Sequence, residues 1–459
     1  MKDLTRILSR FVCDSRFDAL PPAVQHEGAR AFVNWMGCAA GGSREDDVQL
    51  MRDHLAEFNG AADTTVVGQR VKLDALNAAF INSMSSGSLA FNDTHFNTVA
   101  HPTAPVVAVL LALAERRPDF QPLSGKELLH ALILGVEVQC RVGNMLCVPP
   151  AESHVGLSMK GLAGVIGGAV AAGKALGLDE HGMATAIGHA ANQASGLREA
   201  QSTMASHFTY GHSARCGLTA ALLAARGFEC SDSMLEGPKG FAVSFSTRPN
   251  LEAALDKLGE AYEMSSIAYK PYPSGFVVHP IIDACLEIAR APAFDAARLA
   301  HIARVEITAN PLAEKLTNRV APLDRGQALV SYQHWAAVSL IHRAAGIAQV
   351  TDTVVNDPQV AALRRKVTCD SDASLGREAA RARVVFADGS YLEASVAHCR
   401  GSVRRPLTDD DVSEKALAQL RTVYPTRAAE DIRAHCWHIG ECDTVAPLCQ
   451  RLVAEATVN

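Results

Sequence analysis

Three side chains that can hold or exchange protons lie close together in one short segment, namely Asp93, His95 and His101. An almost entirely apolar stretch follows and predicts a buried helix that begins near residue 104. A histidine at the beginning of a helix lies beside backbone N–H groups that favour anions. An imidazole and a carboxylate in this place suit proton transfer at a carbon beside a substrate carboxylate. A structural interpretation is equally open, in which Asp93 and Thr94 only cap a turn.

Other candidate motifs are weaker. The chain has no glycine-rich loop for a dinucleotide or a phosphate. Residues 156–160 begin like the nucleophile elbow of a serine hydrolase, but Lys160 stands where that motif needs its second glycine. The histidines and cysteines between residues 435 and 442 follow no standard zinc or iron–sulfur spacing. We therefore expect neither a nucleotide nor a metal at the site.

The elements that must position these side chains are predicted to be helices as far as residue 265. The predicted features are the apolar helix 104–116, a capping box of Ser124 and Glu127, a small-residue helix within 161–177, and a helix from Cys216 to Arg226 that ends at Gly227. Glycine and alanine at close spacing within 161–177 allow helix backbones to approach one another.

The pattern changes after residue 265, because two prolines exclude a helix from Tyr269 to Gly275. The features predicted beyond are a helix from His279 to Ala291, a strand over 305–308, helices over 327–345 and 357–367, a β-hairpin around Asp388-Gly389, and further helices over 409–424 and 426–434. The predicted fold is therefore mostly α. It has a large all-helical domain of residues 1–265 and 402–459, and a smaller α+β lid domain of residues 266–401.

The composition excludes two classes of partner. The chain has 43 Lys and Arg against 49 Asp and Glu, a net charge of −6, and no basic tract that could follow a nucleic-acid backbone. No apolar stretch approaches the roughly 20 residues that a membrane-spanning helix needs. The N-terminus shows no signal-peptide pattern and the twelve cysteines form no CxxC pair, so we expect reduced thiols in the cytoplasm.

The segment 93–95, taken with 101–105 and with the preceding run 77–82, resembles the MmgE/PrpD family of 2-methylcitrate dehydratases and cis-aconitate decarboxylases. Further matches follow in the family's order: His154 before the small-residue helix, Gly211 to Gly217, Lys270 to Ser274 with His279, Ser331-Tyr332-Gln333, Asp357-Pro358, Asp388-Gly389, and Gly401 to Pro406. The resemblance therefore covers essentially the whole chain.

The resemblance implies a two-domain enzyme, usually a homodimer, that acts on small di- and tricarboxylic acids without a metal or an organic cofactor. It places His101 as the proton donor or acceptor, oriented and tuned by Asp93, with His154 as a second acid/base. The residues expected to contact or support the substrate are Lys270, Thr94, His95, Ser206, His207, Tyr272, Ser274 and His279. Lys270 would bind a substrate carboxylate. His279 has a second interpretation, in which it simply begins its helix.

The chain also departs from the family pattern. Residues 87–93 lack one histidine and two acids of the family's run, beginning with Gly87 in place of the histidine. Ser206 and Thr209 stand where the family often has a lysine and a histidine, and Val155-Gly156 replaces a Pro-Thr pair. A buried carboxylate without a cation would cost several kcal/mol. Either another cation replaces the lysine or the substrate has fewer or differently placed carboxylates, and the second alternative is the one we expect. The candidate cations are Lys160, His207, His212 and Arg198.

The leading hypothesis is a cofactor-independent lyase, a dehydratase or decarboxylase, that acts on a small hydroxy- or unsaturated di- or tricarboxylic acid. One alternative is an epimerase or isomerase that exchanges an α-proton of a dicarboxylate. Another is a homologue that binds a small acid without turning it over.

Overall fold

A computed structural model describes residues 3–115, 122–146, 156–201 and 203–454. The chain forms two compact units. The first comprises residues 1–88, 92–268 and 408–459, and the second comprises residues 89–91 and 269–407. The expected boundaries lie at 265/266 and 401/402, whereas the units of the structure meet at 268/269 and 407/408 and the second also takes residues 89–91.

The first unit is built from helices. They are α1 (Leu4–Asp14), α2 (Pro22–Gly42), α3 (Asp46–Ala56), α4 (Ala75–Ser88), α5 (Thr103–Glu115), α6 (Gly125–Leu146), α7 (Met159–Leu162), α8 (Gly164–Ala175), α9 (Glu180–Asn192), α10 (Ala205–Ala225), α11 (Phe241–Phe245), α19 (Asp409–Leu420), α20 (Thr426–Trp437) and α21 (Ala446–Arg451). Four short strands accompany them, in the ribbons β1 (Thr64–Thr65) with β2 (Lys72–Leu73) and β3 (Asp93–His95) with β4 (Ile267–Tyr269). Apart from these two short ribbons, the described part of the unit is helical, as predicted.

The core of the first unit depends on small residues where helices cross. The predicted apolar helix is α5, and every residue from Thr103 to Leu113 is buried. Helix α8 packs against α5, α6, α9 and α10. A β-carbon at Gly217 of α10 would lie 2.7 Å from the backbone oxygen of Val165 in α8. Glycine is therefore required at position 217. The pattern of small residues within 161–177 predicted this kind of close helix crossing for α8, the partner of α10.

Two local predictions about helix ends are confirmed. The backbone nitrogen of Ser124 donates to the Glu127 carboxylate at 2.8 Å, and the backbone nitrogen of Glu127 donates to Ser124 Oγ at 3.3 Å. This reciprocal pair is a capping box. Gly227 follows α10 with φ +74°, the left-handed conformation that glycine adopts most easily after a helix.

The second unit combines helices with one four-stranded sheet. Its helices are α12 (His279–Arg290), α13 (Ala296–Ala300), α14 (Pro311–Thr317), α15 (Arg325–Ala328), α16 (Tyr332–His342), α17 (Asp352–Val355) and α18 (Pro358–Arg364). The strands are β5 (Ile302–Ala309), β6 (Val367–Ser371), β7 (Ala380–Phe386) and β8 (Tyr391–Val396), in the order β6-β5-β7-β8. The predicted hairpin is β7–β8, which are antiparallel, and Gly389 in its turn has φ +82°.

Two helix predictions in the second unit are wrong in their extent. The helix expected over 327–345 is divided into α15 and α16, because Ser331 caps the second one by accepting from the backbone nitrogen of His334 at 3.1 Å. The helix expected over 357–367 ends at Arg364, and Val367 already pairs with Val305 in the sheet. Within the residues described, no helix is both long and apolar enough to cross a membrane.

Candidate active site

The backbone around Asp93 holds His101 at the beginning of α5. The Nδ1 atom of His101 lies 2.6 Å from the backbone oxygen of Asp93, and Thr94 Oγ1 lies 3.3 Å from the same nitrogen. A carbonyl oxygen only accepts hydrogen bonds, so Nδ1 carries the proton of the neutral imidazole. The Nε2 atom is then the ring nitrogen that can accept a proton.

The carboxylate of Asp93 caps helix α5. It is fully buried, accepts from Thr103 Oγ1 at 2.6 Å, and accepts from the Thr103 backbone nitrogen at 3.2 Å. The expected orientation of His101 by Asp93 thus runs through the backbone carbonyl, while the side chain stabilises the adjoining helix. Both interpretations of this segment describe part of the observed geometry.

Tyr210 of α10 lies beside His101, with the two ring centroids 5.8 Å apart. Its hydroxyl accepts a hydrogen bond from Asn92 Nδ2 at 3.3 Å, and burial raises the pKa of this phenol far above its usual value. A β-carbon at Gly87 would lie 2.3 Å from Cε2 of the Tyr210 ring. The tyrosine ring therefore occupies space next to the position where the family pattern has a histidine.

A lysine also lies close to the Tyr210 ring. Lys160 Nζ lies 4.6 Å from the centroid of that ring, donates to Ser206 Oγ at 2.9 Å, and donates to the Ser206 backbone oxygen at 3.3 Å. Burial, with a smaller contribution from the charge of Arg198, lowers the pKa of Lys160 to about 8. The structure thus places one of the candidate cations, Lys160, against the serine that stands in the position of the family's lysine.

Two other candidate cations, His207 and His212, have partners of their own. His207 Nδ1 lies 2.6 Å from Asp47 Oδ2, so a protonated imidazole there is neutralised within its own pair. His212 Nε2 lies 3.1 Å from Ser195 Oγ, and burial lowers the pKa of this histidine.

His95, which was expected to contact substrate, belongs to a buried network. Its Nδ1 lies 2.8 Å from Thr98 Oγ1 and its Nε2 lies 2.9 Å from Glu263 Oε2. Burial opposes ionisation of Glu263, but its hydrogen bond and charge interaction with His95 leave its pKa below the usual value. The backbone nitrogen of Glu263 in turn donates to Glu137 Oε2 at 2.7 Å. With both ring nitrogens engaged, His95 supports β3.

Lys270, in the second unit, follows β4 and is 3% exposed. Gly401 fixes the neighbouring backbone: it has φ +82°, and a β-carbon there would lie 2.3 Å from the Tyr269 backbone oxygen. The glycine of the expected 401–406 motif is therefore required for the close approach of that turn to the segment that carries Lys270.

The other expected residues of the second unit lie next to this segment. The Tyr272 hydroxyl donates to Asp283 Oδ1 at 2.5 Å, and Ser274 Oγ donates to the Leu329 backbone oxygen at 3.0 Å. His279 is buried, begins α12, and stacks on Phe276 with ring centroids 4.5 Å apart. These three side chains hold the Lys270 segment in place.

His154, the expected second acid/base, lies outside the described residues.

Among the described residues, no three His, Cys, Asp or Glu side chains are grouped as metal ligands would be. Sequence reasoning missed Tyr210, which lies against His101 and Lys160, and Asp47, which pairs with His207. No sequence signal marked them, because their partners at the site are distant in the chain.

Comparison with known proteins gives two kinds of match. The profile described as MmgE/PrpD N-terminal domain matches residues 6–254, and the profile described as MmgE/PrpD C-terminal domain matches residues 272–439. Together the two profiles span most of the chain.

Individual relatives are distant but nearly full-length. A human cis-aconitate decarboxylase is 24% identical over 94% of this chain and 91% of its own length. A cis-aconitate decarboxylase of Aspergillus terreus is 25% identical over 95% of this chain and 93% of its own. A 2-methylcitrate dehydratase of Cupriavidus necator is 26% identical over 82% of this chain and 81% of its own.

Proposed function

The chain belongs to the MmgE/PrpD family, and from that premise we propose that it is a lyase acting on a small hydroxy- or unsaturated di- or tricarboxylic acid. The relatives are named as a decarboxylase and a dehydratase, and both names describe lyases. The expected enzyme class is thereby confirmed, whereas the substrate and the bond that breaks are our proposal.

The observation that carries the proposal is the hydrogen bond of 2.6 Å between His101 Nδ1 and the Asp93 backbone oxygen. With Nδ1–H directed to the Asp93 carbonyl, Nε2 is the basic nitrogen, and it lies at the beginning of α5 where N–H groups favour an anion. In a dehydration, this nitrogen takes the proton from the carbon beside a carboxylate. The hydroxyl group on the next carbon then leaves as water with a proton donated by the second acid/base, which we propose to be His154. In a decarboxylation, the same nitrogen must start protonated. Carbon dioxide leaves, the electron pair of the broken C–C bond stays on the carbon, and Nε2 gives its proton to that carbon.

Substrate carboxylates need cations in a site from which water is excluded. By the resemblance, Lys270 is one proposed carboxylate ligand, and Thr94 and His207 are proposed polar contacts. His154 is the proposed second acid/base. Neither reaction needs an external oxidant or reductant, so the proposal includes no metal and no organic cofactor, as the resemblance implies.

The test is a substrate panel followed by proton NMR. We expect wild type to turn over at least one of 2-methylcitrate, citrate, cis-aconitate and shorter analogues. His101→Ala should lower kcat by about 10²- to 10⁴-fold, the usual contribution of a general acid or base. His181→Ala, at an exposed histidine of α9, is the matched control and should keep full activity.

Three results would count against the proposal. Equal rates for wild type and His101→Ala would remove His101 from the chemistry. Deuterium uptake from heavy water without a new product would favour the epimerase alternative. Binding of these acids without turnover or exchange would favour the non-catalytic homologue.

A further inference from the structure

We propose that Lys160 is the specificity-determining cation of this chain, and that its ammonium group binds a substrate carboxylate from a position different from that of the family's lysine. The proposal deepens the proposed function and rests on it. In this proposal the cation of the carboxylate-binding site is Lys160 of α7, and it replaces a lysine that the family often carries at position 206 of α10.

The contacts of Lys160 define where its charge lies. Nζ donates twice to Ser206, through the side chain and the backbone oxygen, and lies against the ring of Tyr210. The ring of Tyr210 also contacts the imidazole of His101. The Tyr210 side chain, which is 4% exposed, thus lies against both His101, the proposed base, and Lys160, the proposed cation.

The charge of Lys160 lacks a counter-ion within the described residues. None of their carboxylates forms an ion pair with Nζ, and the other charge acting on it is the positive Arg198. Serine oxygens and an aromatic face solvate an ammonium but do not neutralise it. An anionic ligand stabilises a partly buried ammonium that a second positive charge repels.

The departures from the family pattern fit together around this residue. With serine at position 206, the side chain is short enough to accept from Lys160, whereas a lysine there would bring two ammonium groups together. Glycine at position 87 leaves room for the Tyr210 ring on which Lys160 rests. The positive charge is therefore relocated in this chain, and a substrate with the family's number of carboxylates can still be neutralised.

A relocated charge predicts a pH dependence with a definite sign. Burial lowers the pKa of Lys160 to about 8, so the ammonium is charged at pH 7 and mostly neutral at pH 9.5. Other charged groups do not reverse this, because the charge of Arg198 lowers the pKa of Lys160 further, and burial also lowers the pKa of His212. Affinity for a polycarboxylate should therefore fall between pH 7 and 9.5.

The experiment measures binding of two unreactive acids, tricarballylate and succinate, by calorimetry at both pH values. The variants are Lys160→Met, the double variant Lys160→Met with Ser206→Lys, and the control Lys239→Met at an exposed lysine. At pH 7 we expect Lys160→Met to bind tricarballylate at least tenfold more weakly and to lose most of the fall in affinity at pH 9.5. The double variant should recover most of the affinity, and the control should match wild type.

A labelling experiment on wild type avoids any effect of substitution on folding. Tricarballylate at saturation should slow acetylation of Lys160 by an N-hydroxysuccinimide ester at pH 8, measured by mass spectrometry, and should leave Lys239 unaffected. Unchanged labelling of Lys160, or binding by Lys160→Met that equals wild type at both pH values, would overturn the inference while leaving the proposed function standing. Failure of wild type to bind either acid would overturn both.

Discussion

At the scale of single residues, the site depends on backbone atoms as much as on side chains. The imidazole of His101 is oriented by the carbonyl of Asp93, and the carboxylate of Asp93 is engaged by Thr103 at the beginning of α5. The acid and the histidine that are close in sequence are therefore coupled through the main chain. Removing the support of the carboxylate should disturb both the helix end and the histidine.

Thr103→Val tests this coupling. The substitution keeps the side-chain volume but removes the hydroxyl that donates to buried Asp93 Oδ1, so a buried acceptor loses a partner. We expect the free energy of unfolding to fall by about 1–3 kcal/mol and kcat to fall with it. Urea denaturation and steady-state kinetics measure the two effects. Thr426→Val, at an exposed residue, should change neither, and an unchanged stability of Thr103→Val would contradict the capping role.

At the scale of elements, α8 and α10 determine how the candidate site is assembled. Lys160 lies in α7, directly before α8, and Ser206 and Tyr210 lie near the beginning of α10. The distance between α8 and α10 therefore determines the distance between the lysine and its partners. The helices pack closely because glycine at position 217 has no side chain to separate them from the α8 backbone.

Two glycines of this helix pair should respond to alanine with opposite signs. Gly217→Ala would bring its β-carbon to 2.7 Å from the Val165 backbone oxygen, and we expect a loss of about 2 kcal/mol or more. Gly168→Ala has its nearest contact at 3.6 Å and should gain up to about 1 kcal/mol from helix propensity. Denaturation midpoints of the two variants provide the measurement. If Gly217→Ala is as stable as wild type, the helices do not pack as described.

At the scale of the whole molecule, the net charge of −6 does not favour binding of a polyanion and says little about a small ligand. The local arrangement of charge decides that. The dependence of stability on pH is likewise a local matter, because it is governed by buried titratable groups and not by the net charge. His130 in the first unit and His334 in the second are buried, and burial is the main cause that lowers the pKa of each to about 4.

Acid should therefore begin to destabilise the folded chain at a pH above that at which carboxylates of ordinary pKa titrate. The unfolded histidine takes up a proton near pH 6.5, and the folded one does so only near pH 4, so stability is full above pH 6.5 and falls as the pH decreases towards 4. For His334, whose Nε2 donates to the Gln349 backbone oxygen, this amounts to at most about 3 kcal/mol.

The measurement is urea denaturation between pH 7 and pH 4. His334→Gln should be less stable than wild type at pH 7 and should lose less stability on acidification. His181→Gln, at an exposed position, should follow the wild-type curve. A parallel loss for wild type and His334→Gln would mean that folding does not change the pKa of this imidazole.

Much of the fold could be predicted because its signals are local. Helical periodicity, the Ser124–Glu127 capping box and the Asp388-Gly389 turn depend on interactions between residues at most a few positions apart. Failures occurred where a local pattern met a tertiary requirement. The helix predicted over 327–345 is interrupted at Ser331, which also donates to the Arg319 backbone oxygen at 2.6 Å.

The sequence by itself determined which chemistry is available: a histidine and an aspartate at a helix end, the order of motifs that mark the family, and the loss of a lysine at position 206. Only the tertiary structure decided where the replacement charge lies. Lys160 and Ser206 are 46 residues apart, His207 and Asp47 are 160 apart, and His95 and Glu263 are 168 apart. Periodicity and capping carry no information about such pairs, because their contacts arise when helices pack and loops close.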